Sequence, residues 1–386
     1  GLDCRESPAR FDPQGRDTTE ERFMSMARIV VVGGGAGGLE LVSRLGRKLG
    51  RRGKAEIVLV DRNSTHIWKP LLHEVATGAL DSGLDEVSYQ GHAGINGYQF
   101  QRGTLSGLDR EKRQLSLAPV LDESGAEVLP SRTLDYDVLV LSLGSVSNDF
   151  GTPGVAEYCH FLDSPGQAEA FRHDMLNTFL RYSDPEQQAL SRLTVGIVGA
   201  GATGVEECVI VTQDGTRIET DLCVWAAGIK APEFLSTLGL STEPNHRIKV
   251  FSTLQSLDDP HIFVFGDCAS CPQEDGSTVP PRAQAAHQQA LLLYRNLRAR
   301  LDGKPLKPFV YRDRGSLISL AHFDAVGSLM RGASARSLFL EGHLAKFFYA
   351  SLYRMHQRAI HGTVKTVLMV IVDGLNFFLK PRMKLH

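Results

Sequence analysis

A glycine-rich loop between an apolar run and a helical pattern is the feature that most restricts the fold. The run "ARIVVV" ends at Val32 and is followed by Gly33, Gly35 and Gly38 in the spacing G-x-G-x-x-G. A second apolar run, "AEIVLVD", ends in Asp61, close to the roughly 20-residue offset at which an acid meets ribose hydroxyls. The glycines permit a tight turn, close approach of backbone to a pyrophosphate, and close packing of helix on strand. We therefore predict a strand–loop–helix–strand unit that binds a dinucleotide.

Two further apolar runs end in glycine or in a glycine–acid pair. In the stretch "LDYDVLVLSLGS" the apolar run is followed by Gly144, and in "HIFVFGDCA" it is followed by Gly266 and Asp267. A glycine at the end of a strand lets a cofactor lie close, and the carboxylate can accept a hydrogen bond from a ribityl hydroxyl. These runs predict additional buried strands of an α/β fold whose cofactor is a flavin.

A second G-x-G-x-x-G, formed by Gly199, Gly201 and Gly204, follows the apolar run "LTVGIV". Only four residues separate Gly204 from "VIVTQDGTRIETDLCVWAAG", which has the pattern of a hairpin around Asp214 and Gly215 followed by a buried strand. A nucleotide-binding βαβ unit needs roughly 30 residues, and its crossover at least about 10 to 12. The second site is therefore predicted to have its strand and glycines but to lack the helix, the next strand and the acid.

Composition excludes some classes of function. The chain has 386 residues, a formal charge of -2 and 42% hydrophobic residues, without the basic excess of a nucleic-acid-binding protein. Its six cysteines are scattered, so we expect a reducing compartment rather than a disulfide framework. Residues 1–23 are predicted to be a disordered leader, or sequence upstream of a start at Met24 or Met26. The most apolar stretch, 367–379, is broken by Asp373 and falls short of the roughly 18 apolar residues of a spanning helix.

Several sequence blocks together resemble bacterial type II NADH dehydrogenase, the single-chain NADH:quinone oxidoreductase that does not pump protons. The similarity extends from Ala27 to His386 and includes "VDRNSTHIWKPLLHEVATGALD", "VWAAGIKAPEFL", "IFVFGDCASCP", "VPPRAQAAHQQA", "SLYRMHQ" and "PRMKLH". This resemblance implies a Rossmann-like α/β flavoprotein with two dinucleotide-binding domains, FAD as cofactor, NADH as substrate and a membrane quinone as electron acceptor. It implies FAD contacts at Gly33, Gly35, Ala36, Gly38, Asp61, Lys69, Gly144, Asp267 and Ala283.

The resemblance also implies catalytic side chains. The A-Q-x-A-x-Q stretch that begins at Ala283 is similar to the family's quinone-side signature, which implies roles for Gln284 and Gln288 beside the flavin. Glu206, at the end of the second glycine motif, is the third catalytic candidate. The A-Q-x-A-x-Q stretch is predicted to be a helix that begins after two prolines. Its small residues would let the positive N-terminus of the helix approach the flavin and stabilise the reduced flavin. An exposed polar face is the alternative for the glutamines, and His287 is expected to be a solvated or hydrogen-bonded residue rather than an acid or base.

Compared with the family it resembles, this chain lacks an internal block that covers most of the NADH domain. We expect a leader (1–23), the first part of the FAD domain (24–150), a remnant of the NADH domain (151–235), the second part of the FAD domain with the quinone-side helix (236–330), and a C-terminal anchoring or dimerisation region (331–386). With little helix dipole left to hold a pyrophosphate at Gly199, Gly201 and Gly204, the chain is expected to bind FAD but to bind NADH poorly or not at all. A flavin-binding remnant without dehydrogenase activity is therefore the alternative function.

Cysteine chemistry offers weaker alternatives. Disulfide reductases of this fold carry C-x-x-x-x-C beside the first glycine loop, but no cysteine occurs between Gly33 and Tyr158. A sulfide:quinone oxidoreductase would use separated flavin-side cysteines, for which Cys159 and Cys268 are candidates. Cys268 and Cys271 have metal-ligand spacing, but a second C-x-x-C is absent, so no zinc site is expected.

The C-terminal region has the pattern of an amphipathic helix. Apolar residues at helical spacing lie beside a basic arc, as Leu344, Phe348, Leu352, Met355 and Ala359 beside Arg354, Arg358 and Lys365. This pattern favours a helix that lies in the interface of the membrane. The resemblance implies that the helix lies on the cytoplasmic face of the inner (plasma) membrane. Packing against the core is the alternative, and the same helices are candidates for a homodimer interface.

Overall fold

The computed structural model of the chain describes residues 26–78, 86–122, 124–182, 193–199, 202–206, 209–212, 214–313, 316–320, 324–330 and 337–379. The leader predicted at 1–23 lies outside these residues. The helices are α1 (Ala36–Lys48), α2 (Leu72–Ala76), α3 (Tyr89–Asn96), α4 (Val155–Tyr158), α5 (Pro165–Tyr182), α6 (Ala283–Leu301), α7 (Gly342–His361) and α8 (Thr363–Leu379).

The strands are short and number in chain order as follows: β1 (Arg28–Val32), β2 (Glu56–Asp61), β3 (Thr65–His66), β4 (Val87–Ser88), β5 (Gln99–Arg102), β6 (Leu105–Asp109), β7 (Gln114–Leu117), β8 (Val120–Leu121), β9 (Glu127–Leu129), β10 (Arg132–Asp135), β11 (Val138–Leu141), β12 (Val146–Ser147), β13 (Val195–Val198), β14 (Ala202–Glu206), β15 (Val209–Thr212), β16 (Arg217–Glu219), β17 (Leu222–Trp225), β18 (Ile229–Lys230), β19 (Ile248–Lys249), β20 (Ile262–Val264), β21 (Ala269–Ser270), β22 (Ser316–Leu320), β23 (Asp324–Met330) and β24 (Ser337–Glu341).

A five-stranded parallel sheet in the order β20–β11–β1–β2–β5 forms the centre of the molecule. In its middle strand, Val30 lies opposite Leu139 of β11 and Val58 of β2. The inner strands are continuous apolar runs because both faces of a parallel sheet are covered. Parallel strands end at the same edge, so the loops after β1, β2, β11 and β20 converge there. The predicted strand–loop–helix–strand unit and the two further buried strands are confirmed.

Helices α1 and α6 pack together over this sheet. Leu39 and Leu45 of α1 are fully buried, as are Ala290 and Leu293 of α6. At Gly37 a Cβ atom would lie 3.3 Å from the carbonyl oxygen of Ala286, so the two helices approach as closely as a glycine allows. Ala286 and Ala290 of α6 thus belong to a close helix contact, whereas Ala283 is exposed. The predicted approach of the helix N-terminus to the flavin stays a prediction.

The second glycine motif is followed by strands. β13 pairs in parallel with β17, and β14, β15 and β16 form an antiparallel sheet. The predicted hairpin joins β15 to β16 with Gly215 at φ 82°, and β17 is buried as predicted. Among the described residues from Gly199 to Leu222, all regular structure is strand. The truncation expected at this motif stays a prediction.

The C-terminal region consists of the antiparallel sheet β22–β23–β24 and the helices α7 and α8. The end of α7 packs on the core: Ala359 and Ile360 are buried, and Arg47 of α1 donates hydrogen bonds to both of their carbonyl oxygens, at 2.8 and 3.0 Å. The apolar stripe predicted to face lipid is thus covered by protein at Ala359, because helical spacing does not tell which partner an apolar face meets. The side chains of the stripe's first three residues lie outside the described part.

Helix α8 carries the larger exposed apolar surface. Its residues Val364, Val367, Leu368, Val370, Ile371, Val372 and Leu375 are each at least 45% exposed. Within the residues that the structure describes, neither this helix nor any other is both long and apolar enough to cross a membrane.

Candidate functional site

One cavity of about 700 Å³ opens at the sheet edge where the loops converge. It is lined by all nine positions that the resemblance assigned to FAD, namely Gly33, Gly35, Ala36, Gly38, Asp61, Lys69, Gly144, Asp267 and Ala283. The volume lies in the range of cofactor pockets. Residues that lie far apart in the chain thus meet around one space.

The first glycine loop has a different constraint at each glycine. Gly33 has φ 102°, a backbone conformation that side chains disfavour. A Cβ atom at Gly38 would overlap the backbone carbonyl of Gly33 and lie 2.7 Å from the Ser142 hydroxyl. A Cβ atom at Gly35 would meet no protein atom within 4 Å, yet Gly35 lines the cavity. The open space beside Gly35 is therefore space for a ligand at the N-terminus of α1.

Asp61 ends β2 beside the same loop. Its carboxylate accepts a hydrogen bond from the Gly34 backbone N–H at 2.7 Å and one from the Asn63 N–H at 2.8 Å. Burial raises the pKa of this carboxyl group, while the two backbone hydrogen bonds oppose that shift. The acid is placed where a ribose would lie if a dinucleotide's pyrophosphate occupied the N-terminus of α1.

The far side of the cavity is held by side chains that the sequence pattern did not reveal. The Ser145 hydroxyl donates to Asp267 at 2.8 Å, and the Lys69 ammonium pairs with Asp163 at 2.9 Å. The Gly266 N–H donates at 2.8 Å to the side-chain oxygen of Gln289, which is 1% exposed. These contacts join residues far apart in the chain, so no local spacing signals them.

The two predicted quinone-side glutamines lie on the first turns of α6. The amide of Gln284 donates to Asp313 at 3.0 Å, and Gln288 exchanges hydrogen bonds with the backbone of Arg312 at 2.9 and 3.2 Å. They therefore tie residues 312–313 to the helix, and neither is among the described residues that line the cavity. Their catalytic roles stay predictions.

His287 has a partner that the sequence did not suggest. Its Nδ1 lies 2.6 Å from a carboxylate oxygen of Glu40 on α1, and the Glu40 side chain is 1% exposed. Arg44 binds the other carboxylate oxygen of Glu40 at 2.8 Å. The expectation of a hydrogen-bonded histidine agrees with this contact.

Two glycines of the second motif, Gly199 and Gly204, are not among the described residues that line the cavity. Gly199 ends β13 and Gly204 lies within β14, while Gly201 lies outside the described residues. Glu206 closes β14, and its side chain lies outside the described part. The roles of these four residues in NADH binding or catalysis stay predictions.

The four cysteines that the structure describes do not form a flavin-side pair. The sulfur of Cys159 lies 3.0 Å from that of Cys223. Cys268 and Cys271 are fully buried, and burial raises the pKa of each thiol to about 11, which disfavours the thiolate that metal binding and nucleophilic attack require. No cysteine is among the described residues that line the cavity, and no metal-binding group of three or more ligand side chains occurs in the described part of the chain.

Comparison with known proteins connects this geometry to a family. The family described as pyridine nucleotide-disulphide oxidoreductase matches residues 27–213 and 207–290. The type II NADH:quinone oxidoreductase of Haemophilus influenzae is 39% identical, over 94% of this chain and 100% of that protein. The chain belongs to the type II NADH:quinone oxidoreductase family.

Solved structures agree at the level of the fold. NDH2 from Plasmodium falciparum in complex with NADH superimposes with a TM-score of 0.74 at 14% identity, covering 91% of this chain and 98% of that one. The sulfide:quinone oxidoreductase of Aquifex aeolicus reaches a TM-score of 0.67 at 16% identity, covering 92% and 96%. The Rossmann-like α/β flavoprotein fold is thereby confirmed.

Proposed function

We propose that this chain is an FAD-dependent NADH:quinone oxidoreductase whose flavin site is complete and whose NADH site is incomplete. The observation that carries the flavin half is the single cavity around the first glycine loop, Asp61 and Asp267. When bound, FAD supplies the redox chemistry: it accepts hydride from a nicotinamide and passes two electrons to a quinone. The protein's part is to position the substrates and exclude water.

The residues present fit FAD. Gly35 leaves open space at the N-terminus of α1, where unpaired backbone N–H groups and the helix dipole favour a pyrophosphate. Asp61 lies at the end of β2 for the ribose, and Asp267 follows β20 for a ribityl hydroxyl. Ala283 and Ala286 bring the N-terminus of α6 to the opposite wall, where its dipole favours the negative charge of a reduced flavin.

The NADH half is supported less fully. The alignment with the Haemophilus influenzae relative extends over 446 residues, more than the 386 of this chain, so part of that relative has no counterpart here. The family's two matched stretches overlap at residues 207–213, directly after β14. Both observations support a missing block after the second glycine motif. We expect the remaining strand and glycines to bind NADH much more weakly than a complete βαβ unit.

Rapid mixing of the FAD-loaded protein with NADH tests this expectation. Flavin reduction should be slow or incomplete with NADH, whereas dithionite should reduce the same flavin fully. The relative from Haemophilus influenzae is the matched control. Flavin reduction by NADH at a rate near that of the control would show that the NADH site is functional. The proposal of an incomplete NADH site would then be wrong.

A flavin-binding protein without dehydrogenase activity is the second candidate. The antiparallel sheet β14–β15–β16, where a nucleotide-binding helix would follow, is the observation that favours it. Stoichiometric FAD, no reduction by NADH and no reoxidation of the dithionite-reduced flavin by a short-chain quinone would establish this alternative. Reoxidation of the dithionite-reduced flavin by quinone would instead support the oxidoreductase function.

We further propose that α7 and α8 hold the protein on the cytoplasmic face of the inner membrane as a monotopic anchor, close to its quinone. The support is the exposed apolar surface of α8, with Leu368 and Leu375 each 57% exposed. A protein partner, including a second copy of the chain, is the alternative cover for this surface.

Membrane sedimentation distinguishes the two covers. Deletion of 343–386 should move the protein to the soluble fraction, and the pair Leu368→Asp and Leu375→Asp should do so without removing either helix. Val128→Asp, at a 59% exposed apolar residue of β9, is the control and should stay with membranes. If the deleted protein stays with membranes at high salt, the anchor is elsewhere. If the double variant stays bound but changes its oligomeric state, α8 is a dimer interface.

A further inference from the structure

Two cysteines outside the flavin cavity lie in direct contact with each other. The sulfur atoms of Cys159 and Cys223 are 3.0 Å apart, although the two residues are 64 positions apart in the chain. Cys223 belongs to β17 and is 4% exposed, whereas Cys159 directly follows α4 and is partly exposed. Neither is among the described residues that line the cavity, and the proposed function uses neither thiol.

The backbone holds these two cysteines in a position that a disulfide can bridge. His160 and Val224 form a parallel bridge, so the residues before them, Cys159 and Cys223, lie opposite each other. The His160 N–H donates to the Cys223 carbonyl oxygen at 2.8 Å, and the Trp225 N–H donates to the His160 carbonyl oxygen at 2.9 Å. Neighbouring strands lie about 4.8 Å apart, within the roughly 4.4–6.8 Å between Cα atoms that a disulfide spans. The sulfur atoms need to approach by only about 1 Å to reach bonding distance.

The other two cysteines that the structure describes are in a different environment. Cys268 and Cys271 are fully buried, and burial raises the pKa of each thiol to about 11. Thiol exchange requires an accessible thiolate, so both of these thiols are protected from small oxidants. Among the described cysteines, the pair of Cys159 and Cys223 therefore combines an accessible sulfur with a second sulfur in contact with it.

We propose that Cys159 and Cys223 are a redox modification site, at which a low-molecular-weight disulfide such as oxidised glutathione converts the two thiols into a reversible disulfide. Cys159, the accessible thiol, reacts first, and the buried Cys223 displaces the adduct. In a reducing compartment the pair rests as thiols, and disulfides in such compartments are usually transient and redox-sensing. The reaction needs neither FAD nor NADH, so it is independent of the proposed function.

Two exchange steps account for all atoms and electrons. The Cys159 sulfur loses its proton and attacks one sulfur of the external disulfide RSSR, so a bond between Cys159 and SR forms and one RS⁻ leaves. The Cys223 sulfur then loses its proton and attacks the Cys159 sulfur, which breaks that bond and releases the second RS⁻. The two RS⁻ groups take up the two protons. Two protein thiols thereby lose two electrons, and one RSSR becomes two RSH.

The disulfide ties the chain that leaves the flavin cavity to β17. Cys159 lies four residues before Asp163, which lines the cavity and accepts hydrogen bonds from the Lys69 ammonium at 2.9 Å and from the Ser147 N–H at 2.8 Å. A covalent link between residues so far apart in the chain restricts the unfolded protein more than the folded one. We therefore expect the oxidised protein to unfold at a higher urea concentration than the reduced protein.

Peptide mapping tests the site on the full chain as purified. The protein is incubated anaerobically with an excess of oxidised glutathione, quenched in acid, alkylated and digested. A peptide linked through Cys159 and Cys223 should form and should disappear after incubation with reduced glutathione, while Cys268 and Cys271 are recovered as alkylated thiols. If this linked peptide does not form, or if either cysteine is linked to other cysteines in comparable yield, the proposed site is wrong.

Single substitutions test the order of the two steps. Cys223→Ser should retain one glutathione on Cys159, because the displacing thiol is absent, and Cys159→Ser should stay unmodified at Cys223, because the remaining thiol is buried. Cys271→Ala is the control and should form the linked peptide to the same extent as the wild type. The difference in urea midpoint between oxidised and reduced protein should be lost in Cys159→Ser. Uptake of glutathione at Cys223 in Cys159→Ser, or no uptake in Cys223→Ser, would overturn the assignment of Cys159 as the first thiol to react.

Discussion

Two glycines of the first loop, Gly35 and Gly38, should respond differently to the same substitution. Gly38→Ala places a methyl group into the backbone carbonyl of Gly33 and 2.7 Å from the Ser142 hydroxyl. Because a backbone carbonyl cannot rotate away, α1 must move off β1, at a cost of about 1–3 kcal/mol in the apoprotein. Gly35→Ala meets no protein atom within 4 Å and needs no change of backbone, since φ is −60° and ψ is −172°.

The stability of Gly35→Ala follows from two opposing contributions. Replacing glycine by alanine at a helix N-cap costs about 0.5–1 kcal/mol, whereas the smaller conformational freedom of the unfolded chain returns about 0.4–1 kcal/mol. The free energy of unfolding of the apoprotein should therefore change by less than about 0.5 kcal/mol. The added methyl group of Gly35→Ala, however, would enter the open space that we propose for the pyrophosphate. Loss of one charge-assisted backbone hydrogen bond, about 1.5–3 kcal/mol, predicts an FAD Kd raised roughly 10- to 150-fold.

The assay measures both quantities on each variant. Urea unfolding of the apoprotein gives stability, and quenching of flavin fluorescence on titration gives the FAD Kd. Gly94→Ala is the matched control, because Gly94 lies within α3 and its Cβ would also meet nothing within 4 Å. That control should leave FAD binding unchanged. The reasoning is refuted if Gly35→Ala binds FAD within twofold of the wild type, or if it loses as much stability as Gly38→Ala.

Two further predictions concern buried polar groups. Gln289→Leu removes the acceptor of the Gly266 N–H, so it should lower stability by about 1–3 kcal/mol and weaken FAD binding, both measurable by the same two assays. Burial lowers the pKa of His66 and of His92 to about 4, below the unfolded value near 6.5, so stability is present above pH 6.5 and lost on acidification. Urea unfolding between pH 6.5 and 4.5 should show a loss of roughly 4 kcal/mol from the pair, and His92→Gln should remove about half of it. A flat pH profile in this range would contradict the burial argument.

The sequence predicted what depends on local backbone geometry. The glycine spacing, the acid at the end of β2 and the hairpin around Gly215 are each set within a few residues, and each occurs in the structure at the predicted place. The contact between Glu40 and His287 joins residues 247 positions apart, and only the packing of α1 on α6 brings them together. Periodicity gave neither partner a signal, since a polar residue on a helix is more often exposed than buried.

The C-terminal helices show a second limit. Apolar residues at helical spacing predicted a lipid-facing stripe that ends at Ala359, but that residue is buried against the core by contacts with α1. Met355 of the same stripe is 39% exposed, and the larger exposed apolar surface belongs to α8. An apolar helix face packs against protein or against lipid, and the spacing of its apolar residues does not show which of the two it contacts.

The chain leaves the flavin domain after β12 and returns to it at β18, and this connection explains why an incomplete NADH site is compatible with an intact flavin cavity. The central sheet takes its strands from residues 28–141 and 262–264, on either side of that region. β12 and β18 pair in antiparallel fashion, with Val146 opposite Lys230, so the chain departs and returns at neighbouring points. The number of residues between β12 and β18 therefore affects stability only through the entropic cost of closing the loop, which rises by about 0.6 kcal/mol for each doubling of loop length. Loss of the proposed block between these strands would remove contacts to NADH without moving the strand ends that surround the cavity. On that proposal, FAD binding and flavin reduction by NADH should be separable in this chain.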